Sequence, residues 1–177
     1  IFCFNIESHS ELIRINNIAS ELKLKARIAI RVNPAIDAKT HPYIATGMNE
    51  NKFGISEKDV INIYSEASKL DSIEIKGIDF HIGSQITELS PFMNSFEKIK
   101  EIINKLSELK IKLQHIDIGG GLGIRYENEN LPSKKEFIVA IKKELSQLGL
   151  KIVIEPGRSL VGDAGIIVTK VLYVKKT

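Results

Sequence analysis

The sequence predicts an α/β fold in which parallel strands are covered by helices, arranged as a barrel in preference to an open doubly wound sheet. Three observations support this. Short isoleucine- and valine-rich runs alternate with amphipathic stretches in the order β-α-β-loop-α-β-α-β-α-β. The strands read as apolar on both faces, the pattern of parallel sheets buried by crossover helices. The polar, glycine-bearing motifs all fall at carboxyl ends of predicted strands, where ligands sit in barrels and doubly wound sheets alike. No GxGxxG follows the first strand, which weakens a dinucleotide-binding reading.

Residues 1–6 are apolar and β-prone. The run from Ser8 to Glu11 forms a capping box, and Leu12, Ile15, Ala19 and Leu22 then share one face of a first helix. Residues 27–32 make the next strand, closed by Asn33 and Pro34. The connection over 33–55 is long enough to suggest a functional loop. Ser56 to Asp59 caps a second helix with Val60, Ile63, Tyr64, Ala67 and Leu70 inward. A strand over 77–82 follows. Ser90 before Pro91 opens a third helix, whose buried stripe is Phe92, Phe96, Ile99, Ile103 and Leu106. Residues 116–118 are a strand, Ser133 to Glu136 caps a fourth helix ending near Gly149, and 151–154 form a fifth strand. From Val161 to Val174 the helical rhythm gives way to a glycine turn and alternating β-prone residues. The expected division is therefore 1–160 as the α/β unit and 161–177 as the start of a β-rich domain.

Composition narrows the function classes. The 25 basic and 22 acidic residues are dispersed and leave a net charge of +3, without a basic block or an aromatic-interleaved stripe. Nucleic acid is not an expected partner, whereas a small anionic ligand suits the balance. No apolar run approaches the roughly 18 residues of a membrane helix, and no targeting segment is evident, so a cytoplasmic location is expected. Cys3 is the single cysteine, which excludes an internal disulfide, and its apolar neighbours suggest a buried inert thiol.

Three motifs carry the chemistry. Gly119, Gly120 and Gly121 follow a buried strand, and their amides could cradle a phosphate, although a flexible turn would read the same way. Glu155, Pro156, Gly157 and Arg158 set an acid and a guanidinium around a rigid turn, fitted either to hold a protonated heteroaromatic nitrogen and an anion or to form a structural ion pair. His81 opens the run His81 to Gln85 at another strand end, as a base, a metal ligand, or a flat ring stacking on a planar cofactor; Ser84 could add a phosphate hydrogen bond. No metal site is expected, since His9, His41 and His115 lack ligand spacing. In the long loop, His41, Tyr43 and Lys52 are candidates for substrate or subunit contact. Asp117 and Glu155 show nothing that ties them to sugar cleavage, and there is no Gly-x-Ser-x-Gly nucleophile motif.

Taken together, these residues resemble the diaminopimelate decarboxylases of the alanine-racemase-like pyridoxal-phosphate enzymes. The matching runs are Phe4 to Ser8, Arg31 to Pro34, His41 to Ile44 with Thr46 and Gly47, Lys52 to Ile55, His81 to Gln85, Asp117 to Gly121 and Glu155 to Arg158, in family order. The glycine run and Glu155 to Arg158 mark the wider superfamily. The loop runs and Gln85 are more specific to the diaminopimelate branch.

The resemblance implies a (β/α)8 TIM barrel binding pyridoxal 5'-phosphate and followed by a β-rich domain. It implies that His81 stacks on the pyridine ring, Glu155 pairs with its nitrogen, Ser84, Gly121, Gly157 and Arg158 bind the cofactor's phosphate, and Gly120 and Pro156 also belong to the cofactor site. Arg158 would also reach the substrate. It further implies decarboxylation of meso-diaminopimelate to L-lysine in a homodimer with shared active sites. The family's cofactor-bearing lysine motif and its later cysteine and tyrosine have no counterpart here, and about five barrel strands are expected. The 177-residue chain by itself is therefore expected to be inactive, an open remnant with exposed apolar edges. Ornithine, arginine or carboxynorspermidine decarboxylases, a non-catalytic cofactor carrier, and a sugar-phosphate barrel enzyme stand as alternatives.

Overall fold

The computed structural model describes residues 1–36 and 53–176. Six parallel strands make one sheet: β1 (Phe4–Ile6), β2 (Ala26–Asn33), β3 (Ile55–Ser56), β4 (Ile73–Phe80), β5 (His115–Asp117) and β6 (Lys151–Val153). Their order is β1-β2-β4-β5-β6. The two-residue β3 pairs with Val32 and Asn33 of β2, along the edge that β1 uses lower down. The helices are α1 (His9–Glu21), α2 (Val60–Ala67), α3 (Ser90–Glu108), α4 (Lys134–Leu145) and the single turn α5 (Arg158–Val161). No described helix is long and apolar enough to cross a membrane.

Register divides the strands into two unlike faces. Ile6, Ile30, Ile78, Ile116 and Ile152 are successive partners across β1, β2, β4, β5 and β6. All five belong to or pack on one core with Leu12 of α1, Val60 and Tyr64 of α2, Phe92 and Phe96 of α3, and Phe137 of α4. One residue away, the partners are Arg31, Asp79, Asp117 and Val153, and one layer lower Asn5, Ala29, Gly77, His115 and Lys151. The expectation of apolar residues on both faces is thus corrected. Strand side chains alternate with a period of two, so the isoleucines face the helices and the charged residues face the opposite side. A sheet with helices packed on one face and polar side chains on the other is the wall of a barrel, as expected; a doubly wound sheet needs both faces apolar.

A bulge sustains this division. The β2–β4 register shifts between Ile28 and Ala29, which pair with Ile75 and Gly77 and leave Lys76 without a register partner. Ile73 and Ile75 can therefore face the core in the first half of β4, and Ile78 and Phe80 in the second.

Two caps form as the sequence suggests. Ser8 accepts a hydrogen bond from Glu11 N, and Ser133 with Glu136 makes a complete capping box. Two others shift. Ser56 ends β3 and donates to Asp59 at 2.6 Å, so α2 begins at Val60 without a side-chain cap. Ser90 is already helical, and Leu89 occupies the cap position. Gly149 is left-handed, as its place after α4 suggests. In α1, Leu22 is exposed although the periodicity places it inward, and in α3 Ile102 is buried whereas Ile103 is only partly so.

Among the described residues the sheet is open, with one unpaired edge each on β1 and β6. Exposed apolar residues flank both edges: Phe4, Ile18, Leu22 and Leu24 beside β1, and Ile154, Leu160 and Val161 beside β6. Residues 162–176 hold no helix or strand, and Ile166, Ile167 and Tyr173 are at least 90% exposed. Cys3 is half-buried, and desolvation raises its thiol to about 11, consistent with an unreactive group. His41, Tyr43, Ile44, Thr46, Gly47 and Lys52 lie outside the described residues.

The lower polar layer is held by a close fit. The His115 imidazole lies where a Cβ on Gly77 would stand, and it meets the Phe2 ring at 5.3 Å. Burial lowers its pKa and Lys151 adds to this, so a neutral ring fills the space. Gly77→Ala should cost about 1–3 kcal/mol in urea unfolding. A His115→Ala background should remove most of that cost, which a double-mutant cycle reads directly.

Candidate functional site

The site is the rim where β4, β5 and β6 end, and its shape follows from three consecutive glycines that let neighbouring loops touch. Gly119 has a φ of +64°, and a Cβ there would come within 2.7 Å of His81 Nδ1. A Cβ on Gly120 would overlap the Glu155 carbonyl oxygen, and one on Gly121 would overlap the Gly83 carbonyl oxygen. The run is therefore neither a flexible turn nor simply an open cradle: it is the seat on which the His81 and Glu155 loops close. Hydrogen bonds fasten the contacts. Glu155 N donates to Gly119 O at 2.8 Å, Ile86 N to Gly121 O at 2.9 Å, and Gly123 N to Ile86 O at 3.0 Å.

Two of the three glycine amides serve side chains. Gly119 N donates to Asp117 Oδ1 at 3.0 Å, and Gly120 N to His81 Nδ1 at 3.3 Å. An Nδ1 that accepts leaves the proton of a neutral imidazole on Nε2. Burial lowers the His81 pKa, the positive Arg31 lowers it further, and Glu155 opposes them, so the half-buried ring is held neutral and in one orientation.

Below the rim, beside Asp117, lies an acid that sequence reasoning did not single out. Asp79 is 4% exposed and is the register partner of both Arg31 and Asp117. Desolvation lifts it to about 7, with Asp117 and Glu155 adding repulsion and Arg31 pulling the other way. Asp117 is also raised by burial and by Glu155, against the Gly119 amide. Arg31 is itself anchored. Its Nη1 meets Glu7 Oε1 at 2.7 Å, its guanidinium lies 5.3 Å from the Phe53 ring centre, and Glu7 also accepts from Gly54 N at 3.1 Å. The available signal was Asp79 itself, the one carboxylate in the predicted strand over 77–82, with Arg31 at the matching place in β2.

Gln85, quoted only as part of a motif, has a definable task. In a left-handed conformation with φ +58°, it donates to Ile124 O and accepts from Ile124 N, bracing the far end of the glycine loop. Its Oε1 also receives Arg158 Nη1 at 3.5 Å. Ser84 stands between Gly83 and Gln85 and is partly buried. Glu155, Pro156 and Gly157 are exposed, and Arg158 is partly buried at the start of α5. The structure thus brings His81, Ser84, Gly120, Gly121, Glu155 and Arg158 to one rim.

The residues present fit pyridoxal phosphate on their own chemistry. A neutral ring of fixed orientation suits stacking, an exposed carboxylate suits a protonated ring nitrogen, and a serine and a guanidinium suit a phosphate. A cation fits less well among the three acids, because Arg31 Nε already stands 4.0 Å from Asp79 Oδ2.

Residues 1–162 match the family described as "Pyridoxal-dependent decarboxylase, pyridoxal binding domain". The chain is 46% identical over 177 residues to diaminopimelate decarboxylase of Pseudomonas aeruginosa, covering all of this chain and 43% of that protein. It is likewise 46% identical over 176 residues to that of Helicobacter pylori, covering 99% of this chain and 44% of the relative. The chain therefore spans less than half the length of these relatives. The crystal structure of the Helicobacter pylori enzyme complexed with L-lysine superposes with a TM-score of 0.85 at 46% identity, over 88% of this chain and 40% of that one. The diaminopimelate decarboxylase of M. jannaschii in co-complex with L-lysine gives 0.80 at 36% identity, over 89% and 38%.

The hydrogen bond from Gly120 fixes a spectroscopic expectation. In a 15N-detected titration, His81 should show an unprotonated Nδ1 at pH 7 and a midpoint below the ordinary histidine value of 6.5. A midpoint at or above that value would contradict the placement of the ring.

Proposed function

The chain belongs to the pyridoxal-binding domain family of the pyridoxal-dependent decarboxylases, and from that premise we propose that it forms the cofactor-holding part of a diaminopimelate decarboxylase. The reaction would remove the carboxylate at the D centre of meso-2,6-diaminopimelate, giving L-lysine and CO2. One observation carries the reading: the neutral His81 ring and the exposed Glu155 carboxylate stand on loops locked together by Gly119 and Gly120, at the end of a polar sheet face.

When bound, pyridoxal phosphate supplies a protonated ring that accepts the electron pair left behind as a carboxylate departs. The chain's residues serve that chemistry by position. His81, held through Nδ1, offers a flat surface and shields one side from water. Glu155 holds a proton at the ring nitrogen, and its carboxylate is presented from a loop whose amide is fixed to Gly119. Ser84, Gly121, Pro156, Gly157 and Arg158 receive the phosphate end, with Gly120 permitting the close approach of the Glu155 loop. Arg158 also meets a carboxylate of the substrate, a role suited to its planar fork. Gln85 restrains both Arg158 and the glycine loop.

In this reading residues 1–160 are barrel wall. Residues 161–177, with Ile166, Val168, Val171, Leu172 and Val174 unburied, lead into a β-rich domain that covers them. The working protein is a cytoplasmic homodimer whose partner completes the site. The extended protein that includes a cofactor-bearing lysine should release L-lysine from meso-diaminopimelate in a pyridoxal phosphate-dependent assay, and Glu155→Gln should lower kcat at least about a hundredfold. The 177-residue chain alone should release none. Preference for ornithine or arginine, or full activity in the Gln variant, would contradict the proposal.

A further inference from the structure

Three carboxyl groups meet on the polar face of the sheet. Asp79 on β4 and Asp117 on β5 are register partners, and Glu155 arrives from the loop after β6. One oxygen from each lies within 4.8 Å of the others. At that spacing, repulsion from the neighbouring acids opposes ionisation of the buried Asp79 and Asp117, and a proton settles on the member for which water is least accessible. That member is Asp79, the most buried of the three, whose Oδ1 has no hydrogen-bond partner among the described residues. The charged groups acting on it are Glu7 after β1, Arg31 on β2, Asp117 on β5 and Glu155 beyond β6. Arg31 is the one full positive charge among them, and its closer partner is Glu7 at 2.7 Å. Four carboxyl groups against one guanidinium leave an excess of negative charge that a proton on Asp79 reduces. A protonated Asp79 would also resolve the unpartnered oxygen, since a carboxylic acid carries one O–H that can donate to an acidic neighbour.

We propose that Asp79 is a positioning residue that holds a proton in mildly acidic to near-neutral solution and donates it as a hydrogen bond within the cluster, so that Glu155, the exposed member, is held aimed at the rim. This rests on Glu155 serving the ring nitrogen, as set out above, but the proton on Asp79 is measurable without the cofactor. A raised carboxyl pKa has a definite sign in stability. The native state holds a proton that the unfolded state has lost, so the contribution is complete below the unfolded value of 3.8 and fades as pH rises to about 7.

Infrared difference spectroscopy of the unmodified protein without cofactor, at about pH 6, should show a protonated-carboxyl band that Asp79→Asn abolishes and Asp117→Asn does not. Between pH 4 and 7, the unmodified protein should lose stability that Asp79→Asn retains. In equilibrium dialysis with pyridoxal phosphate, Asp79→Asn, which keeps a donor, should bind within about twofold of the unmodified protein, and Asp79→Ala about tenfold more weakly or worse. A band absent from the unmodified protein, a band that survives Asp79→Asn, or an alanine variant that binds normally would overturn the proposal. If the alanine variant does not fold, the infrared result on Asp79→Asn decides. If the unmodified protein shows the band but does not bind pyridoxal phosphate, the proposed function fails while the proton on Asp79 stands.

Discussion

Strand register is the constraint on which the rest of the structure depends. Side chains along a strand alternate between faces, so a slip of one residue would exchange the two sets completely. In the observed register Ile30, Ile78 and Ile116 face the helices, while Arg31, Asp79 and Asp117 face away. A slip would bury three charged residues under α2 and α3, at a desolvation cost of several kcal/mol each. The hydrophobic core and the polar site are therefore specified by one set of pairings, and the bulge opposite Ile28 and Ala29 lets β4 satisfy both along its length.

The same register explains why glycine is needed where the strands end. In the layer of Gly77 and His115, one residue gives up its side chain so that its neighbour's ring can lie across the sheet. At the rim, Gly119, Gly120 and Gly121 repeat the arrangement against His81, Glu155 and Gly83 in turn. Close packing converts three separate loops into one surface, and the hydrogen bond from Gly120 N then fixes both the tautomer and the direction of His81. Functional geometry here follows from what is missing at the glycines as much as from what the polar residues offer.

Much of this was legible in the sequence because it is local. The five main strands, the caps at Ser8 and Ser133 and the left-handed Gly149 follow from short-range chemistry that a sequence displays. The three motifs could be placed at strand ends for the same reason. Features that depend on pairing were not legible. The apolar strand runs conceal two unlike faces, and Asp79 gains its meaning only when β2 and β5 set Arg31 and Asp117 beside it. Ser56 looked like a helix cap because Asp59 follows at the right spacing, yet pairing with Asn33 draws it into β3. The glycine run suggested a phosphate cradle from its composition, whereas two of its amides go to Asp117 and His81.

A crystal structure of the protein with pyridoxal phosphate would show directly whether the His81 and Glu155 loops hold the ring. The pyridine ring is expected packed on the face of His81, its nitrogen within hydrogen-bond distance of a Glu155 carboxylate oxygen, and the phosphate between the Gly121 and Gly157 loops. A ring bound elsewhere, or one whose nitrogen faces Arg158 and not Glu155, would contradict it.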